Sequence, residues 1–160
     1  MSPLLPSELL PGDTILYSPI NILDWIIAIK TWSYAIHSEI YAGNGRSFAS
    51  RPFIGIRDYP LQLDNIVAVR RPKAAWNFES AKTWFFAHAI GQKYDWKGIL
   101  CFILAVKQGA HDRMFCSEFN TRFYNRGHFQ PFDPNWDADK VAPSFFLITP
   151  AMETVWEKKM

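Results

Sequence analysis

The pair Asn44-Gly45 stands between two runs of alternating side chains, Ile36 to Ala42 before it and Arg46 to Ser50 after it. A two-residue hairpin turn needs φ > 0 at both central positions, which Asn and Gly tolerate best, so the chain folds back on itself there. Period two then puts His37, Glu39 and Tyr41 on one face and Ser38, Ile40 and Ala42 on the other. With Gly43 opposite Arg46, Glu39 falls opposite Ser50, and Ser50 lies diagonal to His37 on the His37 face. A one-residue bulge would turn Ser50 away and bring in Ser47 and Ala49 instead.

Other local signals surround this hairpin. Pro11-Gly12-Asp13 reads as a turn leading into a short strand, Thr14 to Tyr17, and Asn65 to Arg70 reads as a further strand. Ile22 to Thr31 is apolar and of helical length. Phe78 to Ile90 reads as a helix, with Asn77 as N-cap, apolar residues at Phe78, Ala81, Phe85 and Ala89, and Gly91 after its end. Another apolar helix follows Tyr94-Asp95-Trp96 and runs through Val106. Phe115 to Asn125 is expected to be helical up to Gly127, and Gln130 to Pro143, rich in Pro and Asp, to be a loop.

Composition narrows the function classes. Of 160 residues, 49% are hydrophobic and 20% charged, so the chain buries a core rather than staying disordered. The length fits one domain spanning residues 1–160, with a core over about 10–148. Seventeen basic against 15 acidic residues leave a net charge of +2, too balanced for a nucleic acid or an anionic membrane as partner. The longest apolar run, Gly98 to Val106, is far short of the ~20 residues of a membrane-spanning helix. The N-terminus has no signal-peptide pattern, which places the chain in the cytoplasm or with a virion. Cys101 and Cys116 are the two cysteines and read as reduced thiols. Neither forms a paired metal-ligand spacing with the histidines, so no metal and no cofactor is expected.

Cys116 is the chemically pointed residue. It lies at the first turn of the expected helix, where unpaired backbone N–H groups stabilise a thiolate and can hold an oxyanion. A second reading is a small buried hydrophobe, which is how the wholly apolar surroundings of Cys101 are read. His37 is the first candidate base, at the start of its strand, and His111 the backup. Ser50 is the candidate to orient the imidazole, and Glu39, the only carboxylate on that face, competes for the role.

Four ordered stretches carry a family resemblance: Leu10 to Tyr17, His37 to Arg46, Tyr94 to Leu100, and Phe115-Cys116-Ser117-Glu118-Phe119. Together they resemble the circularly permuted NlpC/P60 papain-like family, which includes YiiX-type proteins and lecithin:retinol acyltransferase-like enzymes. The resemblance implies an α+β fold with an antiparallel sheet packed against helices, one of them carrying the nucleophile. It implies Cys116 as nucleophile and His37, earlier in the chain, as base. The family's third polar residue falls on the strand after the hairpin, where Ser47-Phe48-Ala49-Ser50 offers neither acid nor His. Tyr17 and Tyr94 are further oxyanion donors or else packing aromatics, and Trp96 lines the cleft or packs under a loop.

The activity implied is a thiol hydrolase acting through an acyl-enzyme, most simply a peptidase or amidase on peptidoglycan peptides. A lipid-directed thioesterase or acyltransferase is the alternative, and an inactive binding or phage structural protein the third. The partner is then a peptide or acyl substrate, with no membrane-spanning segment.

Overall fold

Six short segments, four of them buried on both faces through their centres, assemble into one antiparallel sheet. A computed structural model describes residues 6–20, 28–29, 33–95 and 113–158. Its strands are β1 (Thr14–Tyr17), β2 (His37–Gly43), β3 (Arg46–Arg51), β4 (Gly55–Pro60), β5 (Ile66–Pro72) and, near the C-terminus, β8 (Met152–Glu157). They lie in the order β4-β3-β2-β1-β5-β8. Two short strands, β6 (Lys93–Tyr94) and β7 (Arg113–Met114), pair in parallel beside it. The helices are α1 (Phe78–Trp84), α2 (Cys116–Arg126) and a single-turn α3 (Phe145–Ile148). The arrangement is the expected mixed α+β class. The helices expected over 22–31 and 97–106 fall almost wholly outside the described residues.

The hairpin forms at the expected turn, with Asn44 at φ 51° and Gly45 at φ 69°. Its register differs from the simple count. Gly43 pairs with Arg46, but Tyr41 pairs with Ser47 and Ile40 with Phe48. A bulge at Ala42, next to Gly43 at φ 94°, absorbs the extra residue. The one-residue shift puts Phe48 and Ile40 into the core under the helices and turns Ser47 and Arg51 to the opposite face, beside Glu39.

Asn77 caps α1 as expected, its Oδ1 accepting from Ser80 N at 2.9 Å. Past Trp84 the helix widens into a π-type turn, Phe85–Ala89, rather than continuing regularly to Ile90. The widening sets Phe85 against Phe48, rings stacked with centroids 4.0 Å apart. Phe119, Phe123 and Tyr124 of α2 complete this aromatic core on one side of the sheet. A smaller cluster, including Ile15, Tyr17, Tyr41 and Val69, covers the other side.

Two anchors fix α2 to the sheet. Tyr124 donates its hydroxyl to Gly12 O at 2.7 Å and shares a 2.6 Å bond with Thr14 Oγ1. The turn it grips is itself locked, because Asp13 accepts a bidentate pair from Arg71, both contacts at 2.7 Å. The register of the sheet and the depth of α2 are thereby tied together.

Strands β4 and β8 of the main sheet, and the short pair β6 and β7, are departures from the sequence expectation. Gly55 and Pro60 bracket β4 and read as breakers, yet both tolerate a sheet edge. Among the described residues β8 pairs with β5 alone and forms the opposite edge.

Candidate active site

Helix α2 begins at Cys116, with Phe115 in extended conformation as its N-cap. Cys116 is a buried free thiol. Two backbone N–H groups, those of Ser117 and Ser38, donate to its sulfur, the first from its own helix start and the second from β2. The sulfur also shares a hydrogen bond with the His37 side chain. Burial alone would push this thiol up. The charge of His37, the bond to its ring and the two N–H donors outweigh burial and hold the thiol below its ordinary value.

His37 is the first residue of β2, so its ring sits at the end of the sheet, where it reaches both Cys116 and the sheet face that carries Glu39. Its side chain is 20% exposed. Burial works against a charged imidazole, but the Cys116 thiolate and the Glu39 carboxylate prevail and push it up to about 10. Both shifts run in the direction that favours a thiolate–imidazolium pair.

Glu39 is the hub behind the imidazole. Its Oε1 lies 3.0 Å from His37 Nε2 and accepts from Arg51 Nε at 2.7 Å. Its Oε2 accepts from Ser47 Oγ at 2.6 Å, from an Arg51 terminal nitrogen at 3.1 Å and from the Tyr17 hydroxyl at 3.4 Å. Although burial opposes ionisation, the His37 and Arg51 contacts hold the carboxyl down at about 2. With Nε2 facing Glu39, Nδ1 is the ring nitrogen left for the sulfur.

Ser50 is not in this chain of contacts. The bulge turns it to the helix-facing side, where Oγ donates to Met114 O at 2.6 Å and ties β3 to the strand just before Cys116. It is Glu39 that meets the imidazole, the competing candidate on the strand's own period. Sequence reasoning missed Arg51; the signal was available, since the bulged register puts Ser47, Ala49 and Arg51 on the Glu39 face.

Tyr17 lies beside His37, ring centroids 5.8 Å apart, and its hydroxyl is engaged by Gln62 O at 3.1 Å as well as by Glu39. Burial and the Glu39 charge raise its pKa, so this hydroxyl stays protonated. Tyr94 is buried in β6, its backbone paired with Met114. Trp96, Cys101 and His111 lie outside the described residues.

Glu118, in the first turn of α2, is almost fully buried. Arg122 donates to its Oε1 at 3.0 Å, while Oε2 is buried without a hydrogen-bond partner. Burial, with Asp139 and Asp95 nearby, outweighs Arg122 and pushes this carboxyl up to about 7. Among the described residues, no group of three His, Cys, Asp or Glu side chains is arranged to hold a metal ion. No helix among them is long and apolar enough to cross a membrane.

No family model matches the chain, and no curated protein sequence matches it. Among solved structures it is similar to the crystal structure of a protein described as metalloprotein yiiX, from Escherichia coli O157:H7. The superposition has a TM-score of 0.69 at 16% identity and covers 94% of this chain and 98% of that one. The likeness establishes a YiiX-like fold for this chain, with its six-stranded antiparallel sheet and few helices.

Proposed function

We propose that this chain is a thiol hydrolase of the circularly permuted papain-like kind, with Cys116 as nucleophile, His37 as general base and acid, and Glu39 as the residue that orients His37. The observation that carries this reading is the sulfur–imidazole–carboxylate series from Cys116 through His37 to Glu39, begun at a helix N-terminus.

The steps follow from the charges. The Cys116 thiolate attacks the carbonyl carbon of an amide, forming the S–C bond and a tetrahedral oxyanion. N–H groups of the first turn of α2 stabilise that oxygen. The His37 imidazolium gives its proton to the leaving amine as the C–N bond breaks. His37, now neutral, takes a proton from water, whose oxygen attacks the thioester. The acid leaves and the thiolate is regenerated. Glu39 keeps the ring in the tautomer that presents Nδ1 to the sulfur.

The substrate of this reading is a peptidoglycan-type peptide, cleaved as an endopeptidase or amidase would, in keeping with the family resemblance of the Cys116 and His37 stretches. One observation favours the acyl-lipid alternative. Phe53 and Ile54, exposed by 89% and 56%, sit on the turn just after Arg51, at the same end of the sheet as His37. The lack of an acid or His after the hairpin favours an inactive protein, and the Glu39–His37 contact weighs against it. The structural neighbour is described as a metalloprotein, and among the described residues of this chain no group of three His, Cys, Asp or Glu side chains is arranged to hold a metal ion.

The test is incubation of wild type and Cys116→Ala with muropeptides and, separately, with phospholipids, followed by mass spectrometry. Amide cleavage by wild type alone is the expected result. Ester cleavage alone selects the lipid reading, and inertness toward both overturns the hydrolase.

A further inference from the structure

The segment from Gln130 to Pro150 builds a second feature that shares no residue with the Cys116 centre. Phe132 and Trp136 lie nearly parallel, 13° apart with centroids at 6.3 Å, and Phe145 leans on Trp136 at 5.6 Å. Phe132 also meets the fully buried Phe146 edge-on at 4.9 Å, so the stack is anchored in the core. Trp136 is nonetheless 54% exposed and Ile148 78%.

The indole separates two depressions. One, of about 430 Å³, is mainly apolar and lined by Phe132, Phe145, Ile148 and Pro150, with Asp133 at its rim. The other, of about 260 Å³, sets the polar side chains of Asn135, Asp137 and Lys140 beside the same two rings. Trp136 and Phe145 line both. The polar groups are held in place by one another. Asn135 donates to Asp133 Oδ1 from its backbone N at 2.8 Å and its side-chain Nδ2 at 2.9 Å. The Lys140 ammonium donates to the Asp137 carboxylate.

These features specify the ligand. An accessible ring face asks for a flat apolar surface, and planar carboxylate and amide groups at its edge ask for several hydroxyls. The Lys140–Asp137 pair cancels its own charge, so a strongly charged ligand finds little to match. A purely aliphatic ligand would leave the polar rim unmatched. We infer that the two depressions flanking Trp136 form a saccharide-binding site, a pyranose C–H face stacked on the indole and its hydroxyls bonded to the Asp133, Asn135 and Asp137 side. Two adjoining depressions fit two or more linked sugar units. The site is independent of the hydrolase reading and stands or falls without it.

The experiment uses the full chain with cellotriose, chitotriose and maltotriose as probes, followed by saturation-transfer NMR and calorimetry. At least one trisaccharide binds with a Kd on the order of 1 mM. Trp136→Ala weakens that binding tenfold or more, and Asn135→Ala weakens it severalfold with the ring stack intact. Phe86→Ala, which removes a similarly exposed ring outside the two depressions, leaves it unchanged. If Trp136→Ala does not fold, Asn135→Ala decides. The inference is overturned if none of the three sugars binds at tens of millimolar. It is equally overturned if Asn135→Ala binds as wild type does, or if a proline-rich peptide takes the groove and no sugar displaces it.

Discussion

Oε1 of Glu39 lies 3.0 Å from Nε2 of His37, the residue two positions before it on the same face of β2. Strand period alone brings the two side chains together, and the contact leaves Nδ1 to meet the sulfur of Cys116. The hydrogen bond between a thiol held down and an imidazole pushed up is then the measurable property of the site.

The pair has a pH window with two edges. The raised imidazole contributes stability at low pH and loses it as pH rises through about 10. The lowered thiol contributes above its unfolded value and loses that contribution as pH falls through its folded one. In the neutral range each is present in part. Thiolate absorbance, taken as wild type minus Cys116→Ala to remove Cys101, is therefore expected to develop with a midpoint below the ~8.5 of an ordinary thiol. In His37→Gln the midpoint moves back toward about 8.5. A wild-type midpoint already there contradicts the ion pair.

Removing Glu39 exposes what it holds. Glu39→Ala leaves the half-buried Arg51 guanidinium and the Ser47 hydroxyl without their acceptor and is expected to cost about 3 kcal/mol in chemical denaturation. Glu39→Gln keeps the shape, costs less, and lowers the His37 pKa, which an NMR titration of the ring reads directly. An unchanged His37 titration in Glu39→Gln removes the orienting role.

Ser50 separates a structural role from a catalytic one. Its bond to Met114 O predicts a loss of about 1 kcal/mol in Ser50→Ala, with Cys116 reacting toward iodoacetamide at the wild-type rate. A folded variant whose thiol reactivity collapses would return Ser50 to the orienting role.

Glu118 predicts a slope of the same sign as the raised imidazole, at lower pH. Its carboxyl is raised from near 4.5 to about 7 in the fold, so the folded state favours the protonated form. Its contribution is present at acid pH and lost as pH rises through about 7. Glu118→Gln, which mimics the protonated group, is expected to be more stable than wild type by on the order of 2–3 kcal/mol at pH above 8 and close to it at acid pH. Parallel stability curves for the two proteins between these limits would refute the shift.

Gly12 has no room for a side chain. A Cβ there would lie 2.2 Å from Trp76 Cζ2, and the backbone sits at φ +95°. Gly12→Ala is expected to lower stability by roughly 2 kcal/mol or more, read as a shift in the denaturation midpoint.

What the chain's own order of residues determined was local: the Asn44-Gly45 turn, the Pro11-Gly12-Asp13 turn into β1, the Asn77 cap, and a helix start at Cys116. Each rests on a backbone preference or a capping bond made within a few residues, so no distant partner is needed to read it. The edge strands β4 and β8 were not legible, because their extended state comes from pairing with β3 and β5, and neither carries a strong preference of its own. The site divides in the same way. Glu39 and His37 share a face by period two, which sequence counts correctly. Whether Ser50 or Ser47 joins them turns on one bulged residue at Ala42. That bulge is chosen by the packing of Ile40 and Phe48 beneath α2, since a one-residue slip would have exchanged the buried face for the polar one. Only the folded chain, by closing the helix start over the end of β2, brought the sulfur to the imidazole.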